Sequence, residues 1–138
     1  MAEGFARAYG SDVLAAESAG LAPAMSIAPL THKVMLEKNI DLGHMYPRRV
    51  SALKGSFDLV VNMSGGQVPV SIQAPVEEWD ILDPIGRPEE VFRRVRDQIE
   101  QNVMQLVLAM RNRKPPRSEG QAAVSPSLVD RHAQPPRK

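Results

Sequence analysis

Apolar and polar positions alternate along this chain in distinct rhythms, and the longest of them is helical. From Val91 the apolar residues fall at Val91, Phe92, Val95, Ile99, Val103, Leu106 and Met110. Steps of one, three and four make one face of a helix reaching about Arg113. Gly86, Pro88 and the pair Glu89-Glu90 mark its start, because a fixed φ suits the first turn and acids favour the positive end of the dipole. Near the other terminus Ala2, Phe5, Ala6 and Tyr9 share a face over Met1–Tyr9, and Gly10 is the expected stop just beyond that helix. In this sequence no capping residue precedes it to satisfy its first amides. A further helix is expected over Pro29–Ile40, with Val34, Leu36 and Ile40 apolar and Asn39-Ile40-Asp41 near its end.

The second rhythm is a short continuous apolar run. Phe57-Asp58-Leu59-Val60-Val61-Asn62-Met63 is the clearest strand, with the Leu-Val-Val centre of a parallel strand covered on both faces. Ser64-Gly65-Gly66 ends it in a turn, since Pro69 and Pro75 prevent a helix from starting there. Val13–Ala16 is a shorter strand, closed by Ser18-Ala19-Gly20, small residues that suit a tight packing turn. Trp79, Ile81 and Leu82 read as a short buried strand that Asp83-Pro84 halts, because Pro84 lacks a donor and pushes Asp83 into an extended conformation. Strands alternating with helical segments place the fold as α/β, with a small parallel sheet flanked by helices.

Asp83 is the candidate acid/base residue. It puts a carboxylate at the C-terminal end of a strand, beside the next helix, where open α/β sheets place their ligands. His44, with Arg48 and Arg49 nearby, is a weaker candidate for touching an anion, and a polar-loop histidine is more often a surface hydrogen-bonding residue. His32 falls on the polar side of its helix. No metal site is expected, because the three histidines are far apart and no carboxylate sits at ligand spacing.

Composition narrows the function classes. There is no Cys, which removes disulfides, thiolate metal sites and cysteine nucleophiles from these residues. Residues 1–113 hold 12 Lys/Arg against 14 Asp/Glu, whereas residues 114–138 hold 5 against 2. The basic pI thus belongs to the tail, and no nucleic-acid-binding surface is expected. No apolar run approaches the roughly 18 residues of a membrane span, and no signal-peptide pattern opens the chain, so a cytoplasmic location without membrane partners is expected. One domain over 1–113 is expected, followed by a disordered, basic, Pro-rich tail over 114–138.

Five segments in order and spacing carry a resemblance. They are Met1-Ala2-Glu3-Gly4-Phe5-Ala6-Arg7, Glu17-Ser18-Ala19-Gly20, Asn39-Ile40-Asp41-Leu42, Phe57–Met63 and Trp79-Asp80-Ile81-Leu82-Asp83-Pro84. Over Met1 to about Arg113 the chain resembles the low-molecular-weight protein tyrosine phosphatases and the thioredoxin-coupled arsenate reductases that share their fold. The resemblance implies a four-stranded parallel sheet with helices on both faces. It also implies a Cys-x5-Arg-Ser loop whose backbone amides cradle an oxyanion and keep the Cys ionised. Asp83 matches the family's general acid, which protonates the leaving phenol and then activates water.

The first strand, the nucleophilic Cys and the phosphate-binding Arg have no counterpart, because in the family they lie just before the residues matching Met1-Ala2-Glu3. Ser64 stands where the arsenate reductases carry one of their further cysteines, which disfavours that activity. Trp79 matches an aromatic that packs before the Asp-Pro loop. Two readings follow. In the first, preferred because Met1 falls inside a motif where a start is easily misassigned, the chain is an N-terminally truncated phosphate-monoester hydrolase domain. In the second it is a non-catalytic domain that binds a partner or an oxyanion. The implied ligands are a phosphotyrosine protein or a small oxyanion, and no cofactor is implied.

Overall fold

A computed structural model describes residues 1–113 of the chain. The expectation of a disordered tail over 114–138 lies outside the described residues. Three α-helices and two short strands run in the order α1 (Ala2–Gly10), α2 (Pro29–Leu36), β1 (Val60–Asn62), β2 (Val76–Glu78) and α3 (Glu89–Asn112), with a single 3₁₀ turn at Val50–Ala52. The strands pair in parallel, Val60 beside Val76 and Asn62 beside Glu78. This is the small α/β fold with a parallel sheet that the alternation of elements predicts.

The main core is built where α1 and α3 meet. Phe5 and Ala6 of α1, with Leu14 and Ala16 just beyond it, pack with Met35, Ile40 and Leu42 against Val95, Ile99, Val103 and Val107 of α3. The helical stripe of α3 is therefore buried as its periodicity predicts, with two changes. Val107 takes the fully buried position expected for Leu106, and Arg96 joins the buried face at 7% exposure. Arg96 is tolerated there because Val34 O, Glu37 and Asp97 accept from its guanidinium, at 2.9, 2.6 and 2.8 Å. Two arginines bind the helices at their ends. Arg93 bridges Glu37 of the α2 C-terminus to Glu89, and Arg111 bonds the Tyr9 carbonyl in the last turn of α1 and Asp12 just beyond it.

Several sequence expectations shift. Gly10 is the last residue of α1 rather than the stop beyond it, and it is buried against Val107. The second helix ends at Leu36, not Ile40, because Asn39 adopts φ 61° and the chain closes a Schellman-type cap. Ile40 N donates to Met35 O and Asn39 N to Leu36 O in that cap. Val13–Ala16 carries no ladder, although Leu14 and Ala16 are buried and Ala15 is exposed as an alternating segment requires. A strand needs a partner, and none among the described residues pairs with it. Gly20 instead forms an isolated parallel bridge with Arg49, a close approach suited to its small neighbours. The strand expected at Trp79–Leu82 lies earlier, at Val76–Glu78, and it is exposed rather than buried. Its place is set by tertiary pairing, as Val60 N donates to Pro75 O and Trp79 N to Asn62 O. Ser64–Gly66 is the turn expected, with Gly65 at φ 79°.

Candidate functional site

Asp83 lies on the loop that leaves the C-terminal end of β2 and leads into α3. The loop is shaped locally. Asp83 Oδ1 accepts the Ile85 N–H at 3.1 Å, and Pro84 O accepts the Arg87 N–H at 2.9 Å, with Gly86 at φ 81° in the third turn position. That φ is why a glycine follows Ile85. Pro84 is buried while Asp83 is exposed, so the proline anchors the loop and the carboxylate faces water. A side chain so placed can be reached by a group bound from solvent.

A second polar group joins α1 to the segment after Leu14. Glu3, 8% exposed, accepts from Ser18 Oγ at 2.5 Å and from Arg7 Nε at 2.7 Å. Arg7 also reaches Ala16 O at 3.4 Å, and Arg48 Nε donates to Ser18 O at 3.2 Å. Sequence reasoning assigned Ser18-Ala19-Gly20 to packing, and the turn is indeed held by packing and hydrogen bonds. It missed Glu3 as the acceptor, because a buried glutamate on a helix face gives no local signal. Arg48, grouped in the sequence with His44 as an anion contact, spends its Nε on a backbone carbonyl.

The third group closes the C-terminal end of β1. Asn62, 5% exposed, donates to Gly66 O at 2.8 Å and to the Glu78 carboxylate at 3.1 and 3.2 Å. Its Oδ1 accepts from Ser64 N and Ser64 Oγ, at 3.1 and 2.7 Å. Asn62 thus fixes the loop after β1 and ties it to Glu78 at the end of β2, at the C-terminal edge where an open parallel sheet positions its ligands. Two depressions lie apart from Asp83. One, about 260 Å³, is lined by Gly4, Arg7, Asp41 and His44 among others. The other, about 330 Å³, lies between β2 and α3 and is lined by Glu77, Trp79, Asn102, Gln105, Leu106 and Ala109. Among the described residues no cluster of three or more His, Cys, Asp or Glu side chains has the arrangement of a metal site, and no helix is long and apolar enough to cross a membrane.

Comparison with known proteins gives this arrangement its relatives. The chain is 31% identical over 112 residues to a glutaredoxin arsenate reductase of Synechocystis, covering 78% of this chain and 85% of that one. It is 32% identical over 108 residues to an arsenate reductase of Bacillus cereus, covering 75% and 80%. A solved arsenate reductase in the phosphate binding state superposes with a TM-score of 0.70 at 30% identity, over 79% of this chain and 86% of that chain. The arsenate reductase of Archaeoglobus fulgidus gives 0.65 at 28% identity, over 77% and 86%. The pattern of the low molecular weight phosphotyrosine protein phosphatases matches residues 1–116. The chain therefore belongs to the low molecular weight phosphotyrosine protein phosphatase family.

Proposed function

We propose that these residues form the acid-bearing body of a phosphate-monoester hydrolase domain, with Asp83 as its general acid. The observation that carries this reading is the placement of Asp83. It stands exposed beyond the C-terminal end of a parallel strand, on a loop fixed by the Ile85 N–H and by the buried Pro84. The family match and the phosphate-binding state of a solved relative support an oxyanion as the ligand class. In this reading Asp83 protonates the leaving oxygen of the ester and then takes a proton from the attacking water, a contribution of roughly 10²–10⁴-fold.

The sequence contains no cysteine, so these 138 residues do not supply the family's nucleophile. The same fact weighs against arsenate reduction, since Ser64 occupies the position after β1 where, by resemblance, a redox cysteine is required. The chain by itself is expected not to hydrolyse a phosphotyrosine analogue. Joined ahead of Met1 to an apolar strand and a Cys-x5-Arg loop, it is expected to gain activity that Asp83→Asn lowers by about 10²-fold or more. Turnover by the 138 residues alone, or a completed protein indifferent to Asp83→Asn, would overturn the assignment. A completed protein that binds phosphate without turnover would favour the non-catalytic reading.

A further inference from the structure

Among the described residues β2 uses only one of its two edges. In its parallel ladder Pro75 O and Trp79 N bond β1, so the backbone groups of Val76 and Glu78 face the opposite side. None of them has a hydrogen-bond partner among the described residues. Along the same strand runs the 330 Å³ groove to α3, where Trp79, Leu106 and Ala109 give an apolar floor and Glu77, Asn102 and Gln105 a polar rim. An open strand edge with a side-chain pocket beside it is the arrangement that accepts an extended peptide as an added strand.

Charge indicates which peptide fits. From Gly55 to Gly86 the sequence has five acids and no Lys, Arg or His. Of those acids Glu77, Glu78, Asp80 and Asp83 lie on β2 and the loop after it, and none forms an ion pair among the described residues. The acids of α2 and α3 behave differently: Glu37, Glu89, Glu90, Asp97 and Glu100 are each paired with an Arg or Lys. The acids along β2 are therefore without an ion-pair partner among the described residues, with Arg87 the first cation along the loop after them, and their charge suits a basic partner.

We propose that the free edge of β2, with the Trp79 groove, docks an extended basic polypeptide segment by strand addition. Backbone pairing with Val76 and Glu78 holds the segment, and an apolar side chain enters between Trp79 and Leu106. Lys or Arg side chains on either side meet Glu77, Glu78 and Asp80. The inference is independent of what Asp83 does, since it needs no phosphate and no turnover.

Trp79 is the sole tryptophan of the chain, so its fluorescence reports the groove directly. The full chain is titrated with an unphosphorylated peptide of alternating lysine and aliphatic residues, free of tryptophan. A saturable change in Trp79 emission is expected, together with loss of binding when alternate peptide residues are N-methylated, because methylation removes the donors that strand addition uses. The double variant Glu77→Gln/Asp80→Asn, which keeps the Trp79 Nε1 acceptor, is expected to weaken binding roughly tenfold. No emission change, equal binding by the N-methylated peptide, or equal binding by an acidic peptide would each overturn the proposal. So would an emission change that follows protein concentration without peptide, since it would make a second copy the occupant.

Discussion

Gly10 of α1 packs directly against Val107 of α3, and replacing it with alanine is a direct test of that packing. A Cβ built on Gly10 would sit 2.6 Å from Val107 Cγ2 and 3.3 Å from Cγ1. Val107 is 2% exposed, and as a β-branched residue in a helix it has essentially one rotamer, so it cannot swing aside. The helices cannot easily part either, because Arg111 ties α3 to Tyr9 O and Asp12 immediately beyond the contact. Overpacking of this kind costs roughly 1–3 kcal/mol. The helix-propensity gain of Gly→Ala offsets up to about 0.5–1 kcal/mol of that, and less here because Gly10 ends the helix. The expected net loss is about 1–2 kcal/mol.

Gly4 on the same helix provides the control. Its added Cβ would meet Leu42 Cδ2 at 3.0 Å, Ile40 Cγ2 at 3.2 Å and Met35 Cε at 3.3 Å, all side-chain ends, of which the methionine is the most yielding. Gly4→Ala is therefore expected to lie within about 1 kcal/mol of the parent. Urea titration followed by far-UV circular dichroism measures both. The midpoint should fall for Gly10→Ala with the slope unchanged and move less for Gly4→Ala. Adding Val107→Ala to Gly10→Ala should cost less than the two single changes summed, by about 1 kcal/mol, as the missing methyls make room. A Gly10→Ala protein as stable as the parent, or additive costs in the double variant, would show that α1 does not cross α3 at this point.

Other outcomes follow from the polar groups. Hydrogen bonds from Arg93 and then Arg96 hold the Glu37 carboxyl down to about 2 against a usual 4.5. A depressed folded value means stability that is full above about 4.5 and lost as pH falls toward 2. Glu37→Gln should flatten that part of a urea-midpoint-against-pH curve. Arg96→Ala should destabilise by about 1.5–3 kcal/mol, because it leaves Val34 O and Glu37 without their shared donor, and Arg96→Met should recover part of the packing but not the bonds. The hydrogen bond that Tyr9 donates to Glu100, followed by burial, pushes the Tyr9 phenol up to about 12 from 10.0. That raised value stabilises the fold below pH 10 and is lost as pH rises through 12. Ultraviolet titration should show the late phenolate step move back toward 10 in Glu100→Gln.

What could be read from the sequence depended on how local its cause is. The helix α3 was legible because twenty-four residues of amphipathic pattern leave little choice, and its start carries Pro88 and two acids. The turn that carries Asp83 was legible for the same reason, since Asp, Pro and Gly within four residues dictate their own loop. The strands were legible only in kind. Three residues of β2 are placed by bonds to Pro75 and Trp79 from a strand sixteen residues earlier, and nothing in Val76-Glu77-Glu78 announces that register. Glu3 with Ser18, and Asn62 with Glu78, are joined across fifteen and sixteen residues, so their pairing exists only once the chain has folded. Arg96 looked like a solvent residue because charge outranks position in any hydropathy reading, yet it lies four residues from Phe92 and three from Ile99, inside the apolar stripe.

The carboxylates then divide into two populations with different consequences. On α2, α3 and the end of α1, Glu37, Glu89 and Asp12 each accept from a Lys or Arg on another element, and all three are shifted downward. For Glu89 the leading cause is Lys33, and for Asp12 it is Arg111. Those groups join helix to helix, and their removal should be felt as lost stability. Along β2 and the loop to α3, the Glu77 and Asp83 carboxylates bond neutral groups of their own neighbourhood, the Trp79 indole and the Ile85 amide, while the Asp80 backbone carbonyl accepts from Gln98 of α3. Neutralising them removes no interhelical ion pair, so Asp83→Asn and Glu77→Gln should change unfolding midpoints little, by less than about 0.5 kcal/mol. A carboxylate that the fold does not need, kept in water at the C-terminal end of a parallel sheet, is available for chemistry or for a partner. A large loss of stability in Asp83→Asn would place it with the structural group and remove the physical basis for the acid role proposed for it.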